Sequence, residues 1–146
     1  MCIRDRLNLG VLPFWIVLLF FPSSGVSKYM VRSIFPFMIF SFIYAYLLYY
    51  FFLTEFDFKN NFNLYLGLEQ LSELFSKTGF LIMFWCHFLA INLFCGAWIV
   101  SDSLKFSMSK FLVFFPLLIT YFVGPIGLFI YWLIRIFFAK KLSLYD

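Results

Sequence analysis

The chain has 146 residues, 64% hydrophobic and 12% charged, against about 45–50% and about 25% in ordinary soluble domains. A water-soluble domain of this size cannot hide so much apolar surface, so an integral membrane protein is expected, with no room left for a separate soluble catalytic domain. The net charge of +4 is spread over helix ends and forms no run that could track phosphates, which argues against nucleic acid as a partner.

Residues 1–6 read as foreign to the rest of the chain, and a single transmembrane domain is expected over residues 7–146. The first helix is expected over 7–21, with Pro13 near its start; at about 22 Å it is short for a bilayer. A signal peptide would also be short and follow Arg4 and Arg6. Residues 22–25 lack a small-x-small cleavage pattern, so a retained helix is the expectation. Turn chemistry comes next, and Lys28 and Arg32 mark a membrane surface.

A second helix is expected over 33–52, with Pro36 in its first turn, where a missing N–H does least harm. Tyr44, Tyr46, Tyr49 and Tyr50 gather in its second half, the last two suited to an aromatic belt. Polar residues 54–63 carry Glu55, Asp57 and Lys59. Leu64, Leu68, Leu71 and Phe75 then recur at helical spacing beside Glu69 and Glu73, which predicts an amphipathic surface helix over about 64–77.

The third helix, over 79–100, is long enough to cross a bilayer. The fourth, over 111–138, would run about 42 Å if straight. It contains Pro116 and the string Gly124-Pro125-Ile126-Gly127, so it is expected to be kinked, broken or strongly tilted. The predicted fold class is all-α: an integral membrane four-helix bundle with a short amphipathic helix between helices two and three and a kinked fourth helix. Its expected location is multi-pass in a bacterial inner membrane.

Orientation is not decided by charge. Lys59, Lys77, Arg135, Lys140 and Lys141 fall on one side of that topology, and Lys28, Arg32, Lys105 and Lys110 on the other. Counting Arg4 and Arg6 favours both termini in the cytoplasm.

Polar side chains at membrane depth are costly and point to function by default. His87 and Asn92 stand near the centre of the third helix, about 7.5 Å apart along its axis and about 140° around it. They share no narrow stripe, yet both could flank a pocket bounded by neighbouring helices. Histidine is the side-chain type that gives and takes protons near neutrality, and His87 is the chain's single example. The alternative is helix glue, for His87 and for Asn92 alike.

Asp102, beside Ser101 and Ser103, is expected at the water interface, where its commoner role is to cap the helix or flank Lys105. A direct contact between Asp102 and His87 is excluded, since one helix holds them more than about 20 Å apart. Pro125 leaves the Tyr121 carbonyl without its usual partner, and Pro116 does the same to Leu112. Such broken backbone is tolerated where it is buried or lines a cavity, and Gly124 and Gly127 would let a helix or a flat ligand approach. With one histidine, and with Cys2, Cys86 and Cys95 in no paired spacing, neither a metal site nor a structural disulfide is expected.

The run Trp85-Cys86-His87-Phe88-Leu89-Ala90-Ile91-Asn92-Leu93-Phe94-Cys95-Gly96-Ala97-Trp98, followed by Asp102, resembles the signature of the abscisic-acid-deficient-four-like family, W-x-H-Y/F-L-A-F-D-L-F-x-G-x-W with an aspartate four residues on. A second signature is similar over Pro116-Leu117-Leu118, Thr120, Gly124-Pro125-Ile126-Gly127-Leu128 and Tyr131. The opening Leu12-Pro13-x-Trp15 also resembles the family's start. Plant members are multi-spanning plastid proteins required for making neoxanthin from violaxanthin, an isomerisation that opens an epoxide and leaves an allene.

The resemblance implies an isomerase or accessory factor for a carotenoid or other isoprenoid. His87, Asn92 and Asp102 are then the candidate catalytic residues, and Trp85, Gly96, Trp98, Gly124, Pro125 and Gly127 the candidate ligand-binding ones. Asn92 departs from the family's aspartate, which removes a potential acid or base. That departure motivates the alternative, a non-catalytic protein that binds lipid or pigment or assists membrane assembly. Expected partners are membrane lipid, a carotenoid or isoprenoid, and a second copy of the chain in a homo-oligomer. The cofactor is left unknown.

Overall fold

A computed structural model describes residues 3–33, 35–53 and 67–140. Residues 54–66, which include the polar segment and the expected start of the surface helix, lie outside the described residues, as does Lys141. The architecture is all-α: α1 (Ile3–Phe20), α2 (Gly25–Arg32), α3 (Phe35–Leu48) continued by a wider π turn (Tyr49–Leu53), α4 (Leu68–Ser76), α5 (Thr78–Lys105), α6 (Lys110–Val123) and α7 (Pro125–Ala139).

α1 begins at Ile3 and takes in Arg4, Asp5 and Arg6, earlier than the expected start at Leu7. Helix α2 was not anticipated: Pro22 ends the first helix, and the Ser24 hydroxyl accepts from Ser27 N at 3.1 Å to cap a new one. The chain bends by 119° between the two. α5 runs five residues past its expected end at Val100, because Ser101, Asp102 and Ser103 remain helical and the Ser103 hydroxyl returns to the Val100 carbonyl at 2.8 Å.

α5 is the axis against which the other helices pack. Cys86, Leu89, Leu93, Ile99 and Val100 are buried there against Val11, Trp15 and Leu18 of α1, Phe40 and Leu47 of α3, and Val113 and Leu117 of α6. α1 runs parallel to α5, since Asn8 meets Trp85 and Trp15 meets Gly96. α3 runs antiparallel, with Phe37 against Phe94, Tyr44 against His87 and Phe51 against Gly79.

The expected fourth helix is two helices, and it does not continue across the molecule. In one straight helix Pro116 and Gly127 would stand about 16 Å apart, yet a Cβ on Gly127 would lie 2.5 Å from the Pro116 carbonyl oxygen. α6 therefore rises against α5, and α7 doubles back beside α6. Gly124 makes the turn with φ +71°, a region closed to most side chains, and Pro125 opens α7 where its missing N–H costs least. Thr120 Oγ1 donates to the Pro116 carbonyl at 2.7 Å, and the absence of a side chain on Gly127 lets the two legs cross there.

This hairpin relocates the charges. Arg135 and Lys140 belong to the end of α5 that carries Lys105, with Lys28, Arg32 and Lys110. Arg4, Arg6 and Lys77 share the opposite end with Asp5, Glu69 and Glu73. Among the described residues α5 alone is by itself long and apolar enough to cross a membrane; α1 with α2 passes that test only as a bent pair, and α3, α6 and α7 are shorter apolar helices. Helix length and composition thus support one span plainly, where four were expected.

Candidate functional site

One face of α5 is left uncovered along most of its length. Phe84, His87, Ile91, Phe94, Trp98, Ser101 and Lys105 recur every three or four residues, within about 100° of arc. All are exposed except the half-buried Trp98. Beside this face α5 and α7 part to form an apolar groove of about 440 Å³, with Phe94, Cys95 and Trp98 on one wall and Pro125, Leu128, Phe129 and Trp132 on the other. No charged side chain lines it among the described residues.

His87 lies on this same face, about 16 Å along the axis from Trp98. It is exposed, with its ring centroid 5.9 Å from that of Tyr44. Asn92 points elsewhere. It is 3% exposed and packs against Gly124 at the tip of the hairpin, its Nδ2 without a hydrogen-bond partner among the described residues. A pocket shared by His87 and Asn92, left open by the sequence, is therefore not formed: the 140° between them puts one outside and the other inside. Consecutive residues at the break face different ways, Gly124 onto Asn92 and Pro125 into the groove.

Asp102 is not an interfacial cap. It is 6% exposed, and its Oδ2 accepts from Arg135 Nε at 2.7 Å and from Tyr131 Oη at 2.8 Å. Arg135 is 1% exposed, and its guanidinium lies 5.0 Å from the centre of the Phe106 ring. The Tyr131 hydroxyl also stands 3.6 Å from Met108 Sδ. Opposite charges in a low-dielectric setting hold firmly when hydrogen-bonded and become costly when separated. This trio clamps α7 to the end of α5, and Trp98, set edge-on to Tyr131 with ring centroids 5.8 Å apart, joins the clamp to the groove.

Other expected ligand-binding residues are engaged in contacts between helices. Trp85 Nε1 donates to Asn8 Oδ1 at 2.8 Å and ties α5 to α1. Gly96 admits the Trp15 ring, whose Cη2 would stand 2.7 Å from any Cβ there. Gly127 serves the crossing of α6 and α7. Trp98 and Pro125 alone among the expected residues line the groove.

Arg135 and Trp132 went unrecognised in the sequence. A signal for Arg135 existed: an arginine inside an apolar run, four residues after Tyr131, wants a buried partner, and Asp102, at the end of an apolar run of its own, is a carboxylate that could supply it. Trp132 carries no such signal among so many aromatics.

A model of the ABA DEFICIENT 4-like family matches residues 5–131, a span that takes in His87, Asn92, Asp102, the Gly124–Pro125 break and Tyr131. The chain is 30% identical over 124 residues to "Protein ABA DEFICIENT 4, chloroplastic" of Arabidopsis thaliana, the match covering 78% of this chain and 56% of that protein. The chain thus spans little more than half the length of that relative. No solved structure matches it. With a family match over most of its length, the chain belongs to the ABA DEFICIENT 4-like family.

Proposed function

We propose that this protein is membrane-embedded and holds an elongated apolar ligand, a carotenoid or another isoprenoid, along the open face of α5. The observation that carries this reading is the groove itself, lined by aromatic and aliphatic side chains and continuous with a stripe that reaches His87. Apolar concave sites with a few polar groups are the usual form of a small-molecule site. Membership of a family linked to neoxanthin synthesis favours a polyene as the occupant.

The membrane reading rests on what the surface exposes. Phe42, Phe111 and Phe137 are 70%, 78% and 81% exposed, and soluble monomers rarely leave contiguous apolar patches above a few hundred Å². The hairpin fits the same setting, because its irregular backbone at Gly124 is buried in protein. The concentration of Lys28, Arg32, Lys105, Lys110 and Lys140 at one end favours that end on the cytoplasmic side, or its organellar counterpart.

An isomerase role follows if the ligand's reacting end lies beside His87. An isomerisation adds neither atoms nor electrons, so a group that gives and takes a proton can serve it. Asn92 and Asp102 are engaged inside the fold and have no catalytic part in this reading. The test is expression in a carotenoid-producing host, with pigment extracted from the purified protein. Cys95→Trp, which fills the groove, is expected to abolish pigment retention; His87→Ala is expected to preserve retention and change the isomer composition. Equal pigment in the Cys95→Trp and parent proteins would overturn the groove, and an unchanged isomer profile in His87→Ala would leave a binding protein without isomerase chemistry.

A further inference from the structure

Trp15 and Asn92 are 2% and 3% exposed, and each buries a donor, Trp15 Nε1 and Asn92 Nδ2, that meets no acceptor among the described residues. Two N–H groups cannot satisfy one another, and buried donors left alone are rare because their lost hydration is not replaced. Both belong to one corner of the fold. Asn92 and Gly96 are a turn apart on α5, about 6 Å along the axis. The Trp15 ring sits on Gly96 and edge-on to the Tyr121 ring, with centroids 5.2 Å apart. Gly124, three residues after Tyr121, packs on Asn92. α1, α5 and the end of α6 therefore close around these donors. By contrast Trp85 Nε1, at the next contact between α1 and α5, is met by Asn8 Oδ1 at 2.8 Å.

From this geometry we infer that Trp15 Nε1 and Asn92 Nδ2 form a site for one neutral hydroxyl oxygen, that of a water molecule or of an alcohol group on a bound ligand. Such an oxygen has lone pairs for both donors and a hydrogen left to give. The Tyr121 carbonyl is the acceptor suited to that hydrogen, since Pro125 has no N–H to offer it. An anion is disfavoured by the surroundings. Between Lys77 and Lys105 α5 carries no lysine or arginine, α6 carries none after Lys110, and α1 none after Arg6, so a buried negative charge would go uncompensated. Cys95 and Pro125, the chain neighbours of Gly96 and Gly124, line the groove, which sets this site behind the groove wall. The oxygen joins α1 and α5 to the tip of the hairpin formed by α6 and α7, and a buried water in such a place is part of the structure. The inference rests neither on the polyene nor on the groove.

The test is NMR of the full chain in detergent, with isotope-labelled indole nitrogens and magnetisation transferred from hydroxyl protons to the indole N–H groups. The Trp15 resonance is identified by its loss in Trp15→Phe. In the parent it is expected to show a cross-peak to a bound hydroxyl, and in Asn92→Leu that cross-peak is expected to be lost as the oxygen gives up one of its two donors. Trp85, held by Asn8, is the fold reference: its resonance is expected to stay in place in Asn92→Leu. A cross-peak to water in pigment-free protein assigns the oxygen to water, and one to ligand protons that arises only in pigment-loaded protein assigns it to a ligand alcohol; either supports the site. A parent Trp15 indole without a hydroxyl cross-peak in both preparations would overturn the inference whether or not the variant folds, as would a cross-peak that survives Asn92→Leu with Trp85 unmoved.

Discussion

Replacing Arg135 by methionine tests the clamp and the hairpin together. Arg135 Nε and Asp102 Oδ2 are 2.7 Å apart, and the two side chains are 1% and 6% exposed. Removing one member of such a pair leaves the other charge buried, at about 3–5 kcal/mol, whereas replacing both with apolar groups of similar volume is often neutral or stabilising. Arg135→Met and Asp102→Leu are each expected to lower the unfolding midpoint in detergent by on the order of 10 °C. The double variant should recover most of that loss, because no charge is then stranded. This outcome depends on the chain's course: if α6 and α7 formed one straight helix, Arg135 would lie about 38 Å from Lys110 along the axis, far from Asp102. Two distant substitutions would then simply add. Additive losses in the double variant, or an Arg135→Met protein as stable as the parent, would refute the pair and, with it, the return of α7.

Cysteines placed singly at Lys105, Lys110 and Lys140 in oriented vesicles are expected to react with an impermeant maleimide from one side, and a cysteine at Lys77 from the other; Lys140 reacting with Lys77 would mean that α7 crosses. Gly124→Ala forces a Cβ into a positive-φ residue and against Asn92, with an expected loss of about 1–3 kcal/mol, partly relieved by a second change, Asn92→Ala, and read by thermal unfolding. Gly96→Ala drives a methyl group into the Trp15 ring; overpacking of this kind costs about 1–3 kcal/mol, and Trp15 fluorescence is expected to shift as the ring moves.

The all-α class and the approximate places of α1, α3, α4 and α5 were legible because apolar runs and turn residues are local signals. The break at Gly124-Pro125 was legible for the same reason. The direction the chain takes after Pro125 was not. A helix that continues and one that doubles back have the same residues at the break itself, and the choice is made by distant partners: the gap that Gly127 leaves beside Pro116 and Thr120, and the bond from Arg135 to Asp102.

The site was only half legible, and for a different reason. Helical spacing alone separates His87 from Asn92 by about 140°, so it says that they diverge but not which faces the protein. In a soluble helix the polar face would answer that question. α5 is apolar on nearly every side, so periodicity carries no sign of burial, and the answer comes only from where α1, α3, α6 and α7 pack.

Arg135 shows how far one missed partner carries. Counted as an interfacial anchor on a crossing helix, it joined Lys140 and Lys141 opposite Lys105 and left the charges evenly divided. Asked instead for the carboxylate that a buried arginine requires, it leads to Asp102, and that pairing alone forces α7 back to the end of α5. The basic residues at Lys28, Arg32, Lys105, Lys110 and Lys140 then fall together, and the strongly cationic end of the molecule follows from a single internal bond.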